Sequence, residues 1–147
     1  MNWSIHKFSE LDTQLLYDIL QIRAEVFVVE QDCPYQDLDG KDMQSFHVCG
    51  YDENGLAAYA RIVKKGVSYL DEISIGRVVV SPNHRGKRLG EQLMQESIRF
   101  IEISLGKQPI RISAQSHLNK FYSDLGFEFT GKEYLEDGIP HIEMLRK

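Results

Sequence analysis

The run Ile73 to Val80, ISIGRVVV, closed by Pro82, constrains this chain most. Its apolar, largely β-branched character without regular polar alternation predicts a strand covered on both faces, and the proline denies that strand its next ladder donor. A basic, glycine-bearing stretch, NHRGKRLG, comes next, and from Gly86 onward Leu89, Leu93, Ile98, Ile101 and Leu105 keep helical spacing up to Gly106, a natural stop. Strand, loop and helix start in that order make an anion site. The first helical turn leaves its N–H groups unpaired, the helix dipole favours negative charge there, and glycine lets a phosphate approach the backbone. Arg85, Lys87 and Arg88 bring cations to the same spot. The pattern also fits solvated cations beside a helix that merely packs on a sheet. It is neither a Walker A loop nor a G-x-G-x-x-G fingerprint, so any nucleotide must be held differently.

Around this centre the chain alternates elements. Trp3 to Phe8 reads as a short strand. From Asp12, a plausible N-cap, Leu15, Ile19, Ile22, Val26 and Val29 share one face of a helix ending near Gln31. The stretch DCPYQDLDGKD reads as a loop, and its acids Asp37, Asp39 and Asp42 read as solvated, with attraction of a cationic substrate or a metal ion as the alternative. Strands at Ser45 to Asp52 and Leu56 to Lys64 flank Asn54-Gly55, a hairpin pair. A strand at Pro109 to Ala114, a short helix at Leu118 to Leu125, and strands at Phe127 to Tyr134 and His141 to Leu145 complete the order. Without repeat or linker, residues 1–147 are expected to form one mixed α/β or α+β domain.

Charge excludes some partners. Seventeen Lys and Arg against twenty-two Asp and Glu leave a net charge of −5, which argues against nucleic acid, so an anionic ligand must be held locally. No run reaches the roughly 18 apolar residues of a membrane span, and the N-terminal MNWSIHKFSEL does not read as a secretory signal, so no membrane partner and a cytoplasmic setting are expected. Cys33, Cys49 and His47 offer too few and too loosely spaced ligands for a structural zinc site, and they read as two reduced thiols and a histidine; no metal is expected.

The loop RGKRLG, Arg85 to Gly90, resembles the acyl-CoA motif of the GCN5-related N-acetyltransferase (GNAT) family: Gln or Arg, two residues, Gly, one residue, Gly or Ala. Arg85 and Gly90 match its ends, and Arg88 replaces the inner glycine. Downstream, NKFYSDLGF (Asn119 to Phe127) resembles the family's Asn, Phe-Tyr and Gly-Phe segment. RAEVFVVEQDCPYQDLDGKD, AQSHLNKFY and EDGIPHIEM are similar to the ElaA-like branch, so the likeness spans nearly the whole chain.

The resemblance implies the α/β GNAT acyl-CoA N-acyltransferase fold, a mixed, mostly antiparallel sheet of six or seven strands with helices on both faces, splayed between strands four and five. It implies acetyl-CoA as co-substrate and an amine acceptor, either a small molecule or a protein amino group, handled by a monomer or homodimer. Backbone groups of Val78, Val79 and Val80 would take the pantetheine arm, and Arg85, Gly86, Lys87, Arg88, Leu89 and Gly90 the phosphates, with Asn119 beside the cofactor. Tyr122 falls on the tyrosine that protonates the departing thiolate; it also fits a half-buried aromatic in a short helix. The family's strand-four glutamate is replaced by Ser74, with Glu72 nearby. His117 stands as the expected base, or as a helix cap. Glu30, Gln31, Tyr35, Arg77, His141 and Glu143 are the expected acceptor pocket. A non-catalytic acyl-CoA sensor and a synthase of signalling lactones are the rival readings.

Overall fold

The computed structural model describes residues 1–147. Its strands are β1 (Asn2–Lys7), β2 (Ser45–Asp52), β3 (Gly55–Val63), β4 (Ser74–Val80), β5 (Ile110–Gln115), β6 (Glu128–Glu136) and β7 (Ile139–Arg146), and its helices are α1 (Thr13–Arg23), α2 (Leu89–Phe100) and α3 (Asn119–Ser123). They form two antiparallel sheets, ordered β1-β2-β3-β4 and β5-β7-β6. A single parallel bridge, Ile73 to Ile110, joins the sheets at one end, with Arg111 N–H donating to the Ile73 carbonyl at 3.0 Å. Beyond that point β4 and β5 part, which is the expected splay. No helix is long and apolar enough to cross a membrane.

Strand alternation puts a core on each face of the larger sheet. Val48, Ala58, Ala60, Ile62 and Ile75 pack with Leu93, Met94, Ile98 and Ile101 of the α2 segment, while Cys49, Tyr59 and Val79 pack with Ile19, Ile22 and Val26 of the α1 segment. Asp12 caps α1, accepting from Leu15 N–H at 2.8 Å.

The first helix departs from its expected face. After Arg23 it widens into π-type turns over Ala24–Glu30, with Gln31 N–H donating to the Val26 carbonyl and Cys33 N–H to the Val28 carbonyl, each five residues back. The extra residue per turn rotates the apolar stripe, so Val29 is 74% exposed rather than packed. The second helix ends the same way over Ile101–Leu105.

The acidic loop overturns its solvated reading. Asp37 and Asp42 are buried, and Arg23, fully buried, donates to Asp37 at 2.9 Å and Asp42 at 2.8 Å. Arg61 from β3 joins Asp42 at 2.9 Å and Asp39 at 2.8 Å, and Arg77 from β4 reaches the Asp37 carbonyl at 2.9 Å. Three arginines from the helix and the sheet thus clamp three aspartates, so the loop folds inward instead of into water. His47 sits beneath this clamp with its ring nitrogens against Tyr59 Oη at 2.7 Å and the Asp42 carbonyl at 2.9 Å. Cys33 and Cys49 are free and buried.

Candidate active site

Tyr59 pairs with Val79 and Arg61 with Gly76, so β4 carries one more residue than β3 across the same interval. This is a β-bulge at Arg77 and Val78, and Arg77 takes the left-handed conformation there, with φ of 49°. The bulge changes the strand's parity: Ile75 faces the α2 core before it, whereas Val78 and Val80 do so after it and Val79 faces α1. A bulge bends its strand and leaves backbone groups outside the ladder, which helps β4 turn away from β5. The only sign of it in the sequence is an arginine after glycine inside an apolar run.

The splay opens a cleft of about 600 Å³. Gly76, Arg77 and Val78 line one wall and Ser113, Ala114 and Gln115 the other, with Tyr122 from α3 also lining it. Tyr122 is 7% exposed, and burial pushes its phenol up to about 12. It packs edge-on against Phe121 and Phe127, and no hydrogen bond from the protein engages its hydroxyl. A neutral phenol thus lines the cleft.

The basic loop lies beside the cleft, outside its lining. Gly86 has φ of 83°, and Arg88 occupies the left-handed region at φ 59°, the conformation its replaced glycine would favour. Arg88 precedes the first residue of α2 and has no side-chain cap, so the amides of Leu89, Gly90 and Glu91 lack intrahelical partners. A methyl group at Gly90 would meet Phe121 at 3.5 Å, ordinary contact, so the helix start sits against α3. Lys87 and Arg88 project into solvent. Arg85 is forked onto Glu30 at 2.6 and 2.8 Å, and that hydrogen bond holds the Glu30 carboxyl below its ordinary range.

The remaining expected residues divide. Gln31, Tyr35, Arg77 and His141 line the cleft, with Gln115 reaching Gln31 at 3.5 Å. Tyr35 donates to Asp37 at 3.1 Å, and burial raises its phenol to about 12. Glu30 serves the basic loop instead, and Glu143 accepts from Arg111 at 2.9 Å outside the cleft lining. Asn119 is exposed, accepting from Ser123 at 3.1 Å. His117 is exposed on the turn Ser116–Leu118 and lies outside the cleft lining. Ser74 lines the cleft, but Glu72 is tied to Arg111 at 2.7 Å, so β4 presents no carboxylate to it. Tyr69, Tyr134 and Glu136 line it without having been singled out in the sequence, because only the fold brings them together.

The family model described as an acetyltransferase (GNAT) domain matches residues 14–147. This chain belongs to the GNAT acetyltransferase family. Within it the ElaA-like branch fits: Protein ElaA of Escherichia coli (strain K12) is 43% identical over 149 residues, covering 100% of this chain and 97% of that one. The crystal structure of Escherichia coli ElaA superposes with a TM-score of 0.92 at 42% identity, each chain covered fully. An acyl-CoA N-acyltransferase from Pseudomonas aeruginosa gives 0.92 at 40% identity, again over all of both chains. The GNAT fold also extends to an aminoglycoside 6'-N-acetyltransferase complexed with coenzyme A, at TM-score 0.72 and 15% identity over 97% and 96% of the chains. The protein is accordingly an acyltransferase of the GNAT fold, with its two sheets joined at the Ile73–Ile110 bridge and parting at the splay.

Proposed function

We propose that the protein transfers an acetyl group from acetyl-CoA directly to a primary amine, of a small molecule or a protein, as a cytoplasmic monomer or homodimer. The observation that carries this reading is Tyr122, a buried phenol with no protein partner for its hydroxyl, in the cleft that the β4 bulge opens. Around it the chain fits the co-substrate. The free amides of the loop and helix start, with Arg85, Lys87 and Arg88, suit a pyrophosphate, and Gly86 has open space where a side chain would otherwise stand. Backbone groups from Val78 to Val80 run beside that loop and suit a pantetheine arm; Asn119 stands at the start of α3.

In this reading the backbone N–H groups at the bulge hold the carbonyl oxygen as it gains charge, and Tyr122 gives its proton to the departing sulfur. Gln31, Tyr35 and Arg77 shape the acceptor side, and no step calls for a metal. Acetyl supply is the chemistry the co-substrate brings.

The lack of a β4 carboxylate in the cleft favours a second reading, a module that binds acyl-CoA without turnover. Free-thiol release from acetyl-CoA separates the two, measured with spermidine, lysine, an aminoglycoside and a lysine peptide. Turnover with one of these acceptors, and a roughly hundredfold lower kcat in Tyr122→Phe at nearly unchanged acetyl-CoA affinity, is the expected result. Unchanged turnover in that variant removes Tyr122 from the mechanism, and tight binding without turnover on any acceptor supports the sensor.

A further inference from the structure

We propose that His141 is the group that takes the proton from the incoming ammonium, an assignment that rests on the acyl-transfer reading above. An amine attacks only once it has shed a proton, and the cleft needs an acceptor for it. β4 carries no carboxylate, Glu72 just before it is held by Arg111, and His117 is exposed on its turn and does not itself line the cleft. His141 is 7% exposed and lines the cleft from β7. It pairs across the ladder with Gln115 of β5 and Tyr134 of β6, so all three side chains share one face.

That face is the polar one. The opposite face of the smaller sheet buries Ile110, Ile112, Ala114, Ile142 and Met144 under the helices, whereas this one carries Ser113, Gln115 and His141 to the cleft.

The hydrogen bonds of His141 fix its tautomer. Its Nδ1 lies 2.8 Å from the Ile139 carbonyl, which can only accept, so Nδ1 carries the proton. In the neutral ring Nε2 therefore keeps its lone pair. Nε2 is 3.3 Å from a Glu136 oxygen, so the carboxylate flanks the ring on that side. The Tyr134 ring, stacked at 6.0 Å and 22°, holds the imidazole in plane, and Tyr134 itself is hydrogen bonded to Ser113. Hydrogen bond, carboxylate and stack together give the orienting shell that a positioned base requires. The titratable groups sharing that end of the cleft are Tyr134, Glu136 and Asp137 of the β6–β7 hairpin, Tyr69 before β4, and Cys33 and Tyr35 after the first helix; Glu143 lies further along the same strand.

The step balances. Nε2 removes one proton from the ammonium, the freed lone pair forms the C–N bond, and the C–S bond breaks. Tyr122 protonates the sulfur and regains a proton from the new amide nitrogen, and His141 returns its proton to water.

Two measurements test this on the full-length protein. In wild type, nitrogen-15 spectra of labelled histidine should show His141 as the Nδ1–H tautomer when neutral; a proton on Nε2 overturns the assignment. H141N keeps a donor near the Ile139 carbonyl and removes the accepting nitrogen. With the acceptor that turns over fastest in the panel, it should lose about a hundredfold in kcat/KM near pH 7 while acetyl-CoA affinity holds. Its residual rate should climb about tenfold per pH unit with the free-amine fraction, a dependence that a merely structural defect does not produce. A wild-type rate and pH profile in H141N overturns the assignment alone, as does the loss appearing in H117N instead. If wild type acetylates none of the acceptors, the acyl-transfer reading falls and this role with it.

Discussion

Two clusters of arginine sit in this molecule under opposite conditions. Arg23, Arg61 and Arg77 are matched by Asp37, Asp39 and Asp42, largely out of water. Arg85, Lys87 and Arg88 lie exposed at a strained loop whose neighbouring amides lack partners, with Glu30 on Arg85 and Glu91 near Arg88 as solvent-exposed counter-charges. Buried charge that is fully paired is committed to holding the fold, because stripping one partner leaves an ion without solvent. Charge left in water beside free N–H groups is available for a ligand. The first cluster anchors the loop that walls the cleft, and the second suits the phosphates that would enter it.

The contrast is broken most forcefully at Asp42, which serves both Arg23 and Arg61. Asp42→Ala should cost about 3–5 kcal/mol in urea unfolding. Acetyl-CoA affinity of the folded fraction should stay within about twofold; a larger affinity loss than stability loss would erase the distinction.

Acid should act in two stages. Burial lowers the His47 pKa, so below about pH 6.5 the unfolded chain gains a proton that the folded one resists, and stability begins to fall. Burial alone would raise Asp39 and Asp42, but hydrogen bonds from Arg61 and Arg23 overcome it and hold both below their ordinary range. The stability they supply is present above about pH 4 and lost as pH falls through their folded values. A urea midpoint level above pH 7, declining below 6.5 and steeply below 4, is expected; a flat midpoint from pH 7 to 3 contradicts the clamp.

At the exposed cluster, effects should be small on stability and visible on binding. Lys87→Ala should weaken acetyl-CoA a few fold, more at low salt than at high salt, with an unchanged urea midpoint. Arg88→Gly removes a left-handed penalty of about 1–2 kcal/mol and adds about 0.5–1 kcal/mol of backbone entropy, so stability should rise by roughly 0–1.5 kcal/mol. A loss beyond 1 kcal/mol would show that Arg88 is part of the scaffold.

What could be read from the sequence follows the same divide. Element order, the fourth strand and the basic helix start depend on local pattern, and all stand close to where the spacing put them. The aspartate clamp did not show because its partners come from residues 23, 61 and 77, and a run of acids reads as solvated when its cations are far along the chain. The π-type turns escaped because a 3.6-residue period was extrapolated through Val29. The polar cleft face escaped because Tyr134, Glu136, His141 and Gln115 meet only through strand pairing.

The most direct test of the account follows the backbone amides of residues 86–90 by NMR while coenzyme A, and separately pantetheine, is added. Coenzyme A should shift Gly86, Lys87, Arg88, Leu89 and Gly90 strongly, and pantetheine, which lacks the phosphates, should leave them nearly still. Coenzyme A binding that leaves these amides unmoved would place the phosphates elsewhere and contradict the account.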